Sequence, residues 1–132
     1  AALLGAGCAS TPTAAHPAGT GRIEPIDSFA DWQRLGSNSA ERYMVVYHSP
    51  RCGFCAGMLR GMHRNLADFG PAARIYPVDI DANPDIQSAM DIGPVPVVTF
   101  HRGGAEVNRW RSARPSFVVR RSVRSFFGAG SR

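Results

Sequence analysis

The sequence has no apolar run near the roughly 20 residues that carry a helix across a bilayer, so no transmembrane helix is expected within it. It has no lysine: all 15 basic residues are arginine, which reads as genomic base composition and not as a functional choice. Cysteine is scarce and odd in number, with three in the chain. No second cysteine or histidine pair is present to complete the four ligands of a zinc site, which argues against zinc. At 132 residues with 44% hydrophobic content, the chain can bury one core but hardly two, so a single domain with trimmings is expected.

What charge there is lies unevenly. Residues 102–132 carry eight arginines against the single acid Glu106, a net of +7, whereas residues 1–101 carry seven arginines and nine acids, a net of −2. A basic C-terminal end could meet an acidic partner or anionic lipid, or be only a solvated helix face; nucleic acid is not the expected partner.

The segment Ala1–Cys8 is small and apolar up to the cysteine, and the residues that follow are rich in Pro, Gly and Thr and too poor in large apolar groups to pack. It resembles the end of an export signal with a bacterial lipoprotein box, in which Cys8 would be lipidated and become the first mature residue. Leu4 stands one position further from Cys8 than the usual large aliphatic, and the charged part of such a signal would lie upstream. A plain signal peptide or disordered leader, or a structural Cys8, are the alternatives. Residues 1–21 are therefore assigned to a signal remnant and flexible linker, and residues 22–132 to one domain.

Within that domain Arg22 to Ile26, interrupted by Pro25, suits an edge strand. Ser28 and Asp31 have capping-box spacing ahead of Phe29, Trp32 and Leu35, a helix expected to end at Gly36. Tyr43 to Tyr47 is apolar on both faces and reads as a central, doubly covered strand. Phe54, Cys55, Met58, Leu59, Met62, Leu66 and Phe69 follow at helical spacing, predicting one helix from about Cys52 to Phe69 that closes at Gly70-Pro71. Gly57 and Gly61 weaken that helix by roughly 1 kcal/mol each, so packing must compensate or a neighbour must approach closely there. Arg74 to Asp79 reads as a strand, and Pro84 opens a short helix carrying Ile86, Ala89 and Met90 inward as far as Gly93-Pro94. Val95 to Phe100 is a strand entered through Pro96, and Gly103-Gly104 turns it into a hairpin with Glu106 to Arg111. A last helix begins at Pro115 with Phe117, Val118, Val119, Val123, Phe126 and Phe127 on its apolar side. The order β-α-β-α-β-α-β-β-α implies a mixed sheet with helices on both faces, an α/β fold.

The chemistry centres on Ser49-Pro50-Arg51-Cys52-Gly53-Phe54-Cys55, where a strand hands over to a helix. Two cysteines at this spacing can open and close a disulfide with little backbone movement, although an inert structural bridge is the plain alternative. At a helix start, unsatisfied N–H groups and the macrodipole favour an anion, so the Cys52 thiol is expected below the free value of about 8.5 and would act as the nucleophile. Arg51 adds a positive charge nearby. Cys55, one turn further in, would resolve a mixed disulfide. Phe54 either contacts extended substrates or caps the core. A rival chemistry uses the two sulfurs with Met58, Met62, His48 or His63 to hold Cu(I), as a metallochaperone. A third possibility is a membrane-tethered binding module without catalysis.

The chain resembles the thioredoxin superfamily through residues 23 to 127. The likeness rests on the apolar strand before Cys52-Gly53-Phe54-Cys55, on Val78-Asp79-Ile80-Asp81-Ala82-Asn83-Pro84, on Ile92-Gly93-Pro94-Val95-Pro96, and on the closing hairpin and helix. The resemblance implies a thioredoxin-like fold and a thiol-disulfide oxidoreductase that needs no cofactor beyond a redox-active Cys52–Cys55 disulfide, with no metal. It also implies a cis bond before Pro96, with Val95 and Pro96 offering backbone to an extended substrate; a trans proline that merely starts a strand is the alternative.

Four departures separate the chain from thioredoxin itself. Arg51 replaces tryptophan, Phe54 replaces the proline between the cysteines, Val46 falls where thioredoxin buries a proton-transferring acid, and Arg60 replaces a helix-kinking proline. Val95 is similar both to thioredoxin's isoleucine and to the valine of periplasmic disulfide oxidases, and so leaves the redox direction open. With Val46 apolar, His48 is the nearest titratable candidate for proton transfer, or else a surface imidazole at a strand end, with water carrying the proton. The departures suit an exported thiol-disulfide protein more than a cytosolic general reductant; with the leader and the redox pair, a monomer is expected in the periplasm, exchanging disulfides with cysteines of other exported proteins and served by a separate redox partner.

Overall fold

A computed structural model describes residues 20–38 and 41–128. Five strands form one sheet: β1 (Arg22–Ile23), β2 (Arg42–His48), β3 (Arg74–Asp79), β4 (Val97–Arg102) and β5 (Ala105–Trp110). Their order across the sheet is β1-β3-β2-β4-β5. β1, β3 and β2 run parallel, while β4 is antiparallel to β2 and β5 to β4, so the sheet is mixed as expected. Ile26 adds a single bridge to Val78, past Pro25, which suits an edge.

β2 is the middle strand because it is the one that can lose water on both sides. Tyr43, Val45 and Tyr47 point into a core with Ile26, Val78, Ile86 and Ile92. Met44 and Val46 point the other way, against Met62, Phe69, Val98, Val119 and Val123. Burying each such side chain contributes about 1.5–3 kcal/mol, so this strand anchors both layers. The first core is covered by α1 (Phe29–Asn38) and α4 (Pro84–Met90), the second by α2 (Gly53–Arg64), α3 (Leu66–Phe69) and α5 (Ser116–Phe126).

Ser28 caps α1 by accepting the Asp31 N–H at 3.1 Å, but the Asp31 carboxylate pairs with Arg34 and does not close a box. The helix runs on through Gly36 to Asn38, where Ser37 Oγ donates to the Gln33 carbonyl at 3.0 Å. Gly36 is therefore not a terminator. Gly103 and Gly104 turn the β4–β5 hairpin with φ of 62° and 85°, values only glycine adopts readily. A Cβ on Gly104 would also lie 2.9 Å from the Gly36 carbonyl oxygen.

The long helix expected from Cys52 to Phe69 is interrupted. Asn65 takes φ −99° and ψ 9°, and both its backbone N–H (3.0 Å) and its side-chain amide (2.9 Å) donate to the Gly61 carbonyl. A side chain that competes for a backbone acceptor in this way ends α2 and starts the separate turn α3. α4 stops at Asp91 in the left-handed region (φ 55°), before Gly93, and its Ala89 is exposed while Ile86 is buried. In α5, Val119 and Val123 face the core one turn apart, which places Phe117, two residues before Val119, on the far side, 65% exposed.

Candidate active site

Cys52 is the N-cap of α2, with extended backbone (φ −101°, ψ 100°), and its N–H is held by the Ser49 carbonyl at 3.0 Å. Its Sγ forms a disulfide with Cys55 and also accepts the Cys55 N–H at 3.1 Å; the two Cα atoms are 5.3 Å apart. The pair is unequal: Cys52 is half-buried, whereas Cys55 is 1% exposed.

The loop ahead of Cys52 is tied to the end of β3. Asp81 accepts Arg51 Nε at 3.1 Å and Nη2 at 3.0 Å, and the buried Ser49 hydroxyl at 2.7 Å. Ser49 Oγ accepts the Arg51 N–H in return at 3.1 Å. The Arg51 guanidinium, whose pKa is pushed up by the Asp81 bond, holds the Asp81 carboxyl below the usual carboxylate range, with Ser49 adding to the effect. The positive charge beside Cys52 is therefore a paired one. Sequence reasoning missed Asp81 and Ser49 as members of the site. Asp79 orients Asp81 by accepting its N–H at 2.9 Å, and only the parallel register of His48 with Asp79 shows that these turns meet.

His48 ends β2, half-buried; burial pushes its imidazole below the ordinary value, against an upward pull from Asp79. Val46 is fully buried between its partners Pro77 and Val98. The Val95–Pro96 bond is cis. Tyr47 pairs with Val97, and this antiparallel register carried on by one residue places Pro96 beside His48, at the C-terminal end of β2 where it hands over to α2. Pro96 is buried and Val95 half-buried. Phe54 is 48% exposed and caps no core. Of the sulfur and imidazole groups weighed as Cu(I) ligands, Met62 is committed to the core and both thiols to the disulfide. Cys8 lies outside the described residues.

Residues 27–125 match the thioredoxin family, to which the chain belongs. Thioredoxin-2 of Saccharomyces cerevisiae is 28% identical over 96 residues, 73% of this chain and 91% of the yeast protein. The solved thioredoxin of Malassezia sympodialis has TM-score 0.70 at 18% identity, with 86% of this chain and 97% of that one covered. Oxidised thioredoxin O1 of Arabidopsis thaliana has the same TM-score of 0.70 at 17% identity, covering 80% and 97%. The chain is a thioredoxin-type thiol-disulfide oxidoreductase whose redox group is the Cys52–Cys55 disulfide.

Proposed function

We propose that this oxidoreductase exchanges disulfides with cysteines of exported proteins, in the periplasm, tethered to the membrane by a lipid on Cys8. The compartment and the tether are supported by the Ala1–Cys8 sequence and the Pro/Gly/Thr-rich stretch after it. In the oxidising direction a substrate thiolate attacks Cys52 Sγ, the Cys52–Cys55 bond breaks, and Cys55 leaves as a thiolate that takes up a proton. A second substrate thiolate then attacks the substrate sulfur of the mixed disulfide and expels the Cys52 thiolate, leaving the substrate oxidised and the protein reduced. The reducing direction is the same path reversed, with Cys52 attacking the substrate disulfide and Cys55 resolving it.

The observation that carries these roles is the inequality of the pair. Cys52 is the reachable sulfur, at a helix N-terminus and beside the Cys55 N–H that would stabilise its thiolate, while Cys55 is closed off from a bulky substrate. Val95 and Pro96 lie at the same end of β2 as Cys52 to receive the substrate backbone, Phe54 offers it an apolar face, and His48 or water accepts the proton. Dithiothreitol-driven insulin reduction should proceed with the wild type and fall to background with Cys52→Ala; equal rates would overturn the assignment. Globomycin-sensitive processing of the full-length precursor at Cys8 is expected for the tether, and a mature protein that keeps residues before Cys8 would exclude it.

A further inference from the structure

A groove of about 550 Å³ runs between α2 and α5, starting at Gly53 and Phe54 beside the disulfide and ending at Asn65 and Arg120. Of the three large apolar side chains that stand exposed among the described residues, two border it: Phe54 at 48% and Phe117 at 65%. Its floor is Met58, Met62, Phe69 and Val119. Among the described residues three arginines, Arg64, Arg114 and Arg120, line it, and no carboxylate does. Arg120 is engaged by Asp68 at 2.7 Å, but among the described residues Arg64 has no acidic partner, and the buried Nε of Arg114 has no acceptor.

Two glycines make the groove deep. A Cβ on Gly57 would meet only the tip of Arg60, and one on Gly61 only the tip of Arg64, each at 3.7 Å. The protein's own packing thus gives no reason for either, although glycine inside a helix is unfavourable relative to alanine. Room for something outside the chain is a reason.

We infer that this groove docks an anionic amphipathic segment of a client protein. Its apolar side chains would lie between Phe54 and Phe117, and its carboxylates would meet Arg64 and Arg114. The inference rests on the redox reading above, because a groove that begins at Gly53 would hold a client chain so that its cysteine reaches Cys52. Charge selects the occupant: residues 1–19 of this chain contain no acid and do not suit three arginines.

The test uses the oxidised full chain and a cysteine-free peptide carrying two leucines and several glutamates, with its lysine counterpart as control. Amide chemical shifts of α2 and the first turn of α5 should move with the glutamate peptide, not with the lysine one, and the affinity should fall as salt rises. Arg64→Glu should weaken binding about tenfold or more. Phe117→Ser, on an exposed position that the fold does not need, is a second variant should the first unfold. For a cysteine-containing version of the glutamate peptide, both variants should lower kcat/KM relative to that for hydroxyethyl disulfide. Gly61→Leu should block binding although the helix gains a better former.

Shifts confined to other surfaces would overturn the inference, as would equal binding of the two peptides or insensitivity to Arg64→Glu. So would binding to anionic vesicles without peptide binding, or a groove occupied by a second copy seen as a dimer in sedimentation. Failure to turn over hydroxyethyl disulfide would count against the redox reading alone, since the cysteine-free peptide reports the groove independently.

Discussion

Arg51 and Asp81 form a two-pronged ion pair whose carboxylate also takes the Ser49 hydroxyl, so one side chain after β3 fixes the loop that delivers Cys52. The positive charge next to Cys52 is thereby balanced within the protein.

Two substitutions at this pair should shift the Cys52 thiol in opposite directions. Asp81→Asn removes a negative charge and frees the guanidinium, so the reduced protein should form its Cys52 thiolate at lower pH. Arg51→Gln leaves Asp81 uncompensated and should raise that pH. Ultraviolet thiolate absorbance during a pH titration reads both, and shifts of the same sign would show that the pair acts only by holding the loop.

Removing the second cysteine should stall the exchange part-way. With Cys55→Ser, the attack by Cys52 on a substrate disulfide still occurs but no resolving thiolate follows, so a mixed disulfide should accumulate and be visible by mass spectrometry of acid-quenched samples. Cys52→Ser should trap none, because Cys55 is out of reach. Trapping through Cys55 instead would reverse the assigned roles.

Stability should decline in mild acid. Burial lowers the imidazoles of His48 and His101 below their ordinary value; Asp79 opposes this at His48, while at His101 Glu106 opposes and Arg109 reinforces it. For such a histidine the unfolded chain binds the proton more readily, so its contribution is complete above the unfolded value of about 6.5 and is lost as pH falls below it. His101 sits against Tyr43 with ring centroids 4.5 Å apart and has Nε2 2.7 Å from Thr99 Oγ1, so it is its burial inside β4, reinforced by Arg109, that opposes protonation. Denaturant midpoints between pH 7 and 5 should fall, and His101→Gln should flatten the slope. A second loss is expected at lower pH, through the carboxylate range, as Asp81, Asp68 and Glu106, whose arginine partners hold their carboxyls low, are protonated.

Glycine substitutions should have opposite signs at two positions. Gly104→Ala forces a side chain into positive φ and against the Gly36 carbonyl, and should cost about 1–3 kcal/mol, read as a lower Tm. Gly57→Ala meets only the far end of the Arg60 side chain at 3.7 Å, an ordinary contact, on a regular helix and should stabilise by up to about 1 kcal/mol.

These contrasts show which parts of the molecule can be read from residues alone. The doubly apolar Tyr43–Tyr47 run announced its central place, because a strand covered on both faces needs no polar side. The Cys52–Cys55 spacing at a strand-to-helix change announced the site, and Pro96 came with the family likeness. Local breaks were harder to see: Asn65 reads as a helix interior until its amide is found on the Gly61 carbonyl, and Gly36 reads as a stop until the turn beyond it is found to be helical. Phe117 matched an apolar face by composition, but the turn of α5 is set by Val119 and Val123. Asp81 was invisible as a site residue because its partnership with Arg51 crosses 30 positions and depends on strand register.

That register has a kinetic corollary. β2 runs between β3, which brings Asp81 to the loop before Cys52, and β4, which brings Pro96 alongside His48. Cys52 and the cis Val95–Pro96 bond are thus both held from one strand. With Val95 and Pro96 in the receiving role proposed above, differences in rate between clients should come from how readily each can lay an extended stretch of its own chain across the C-terminal end of β2.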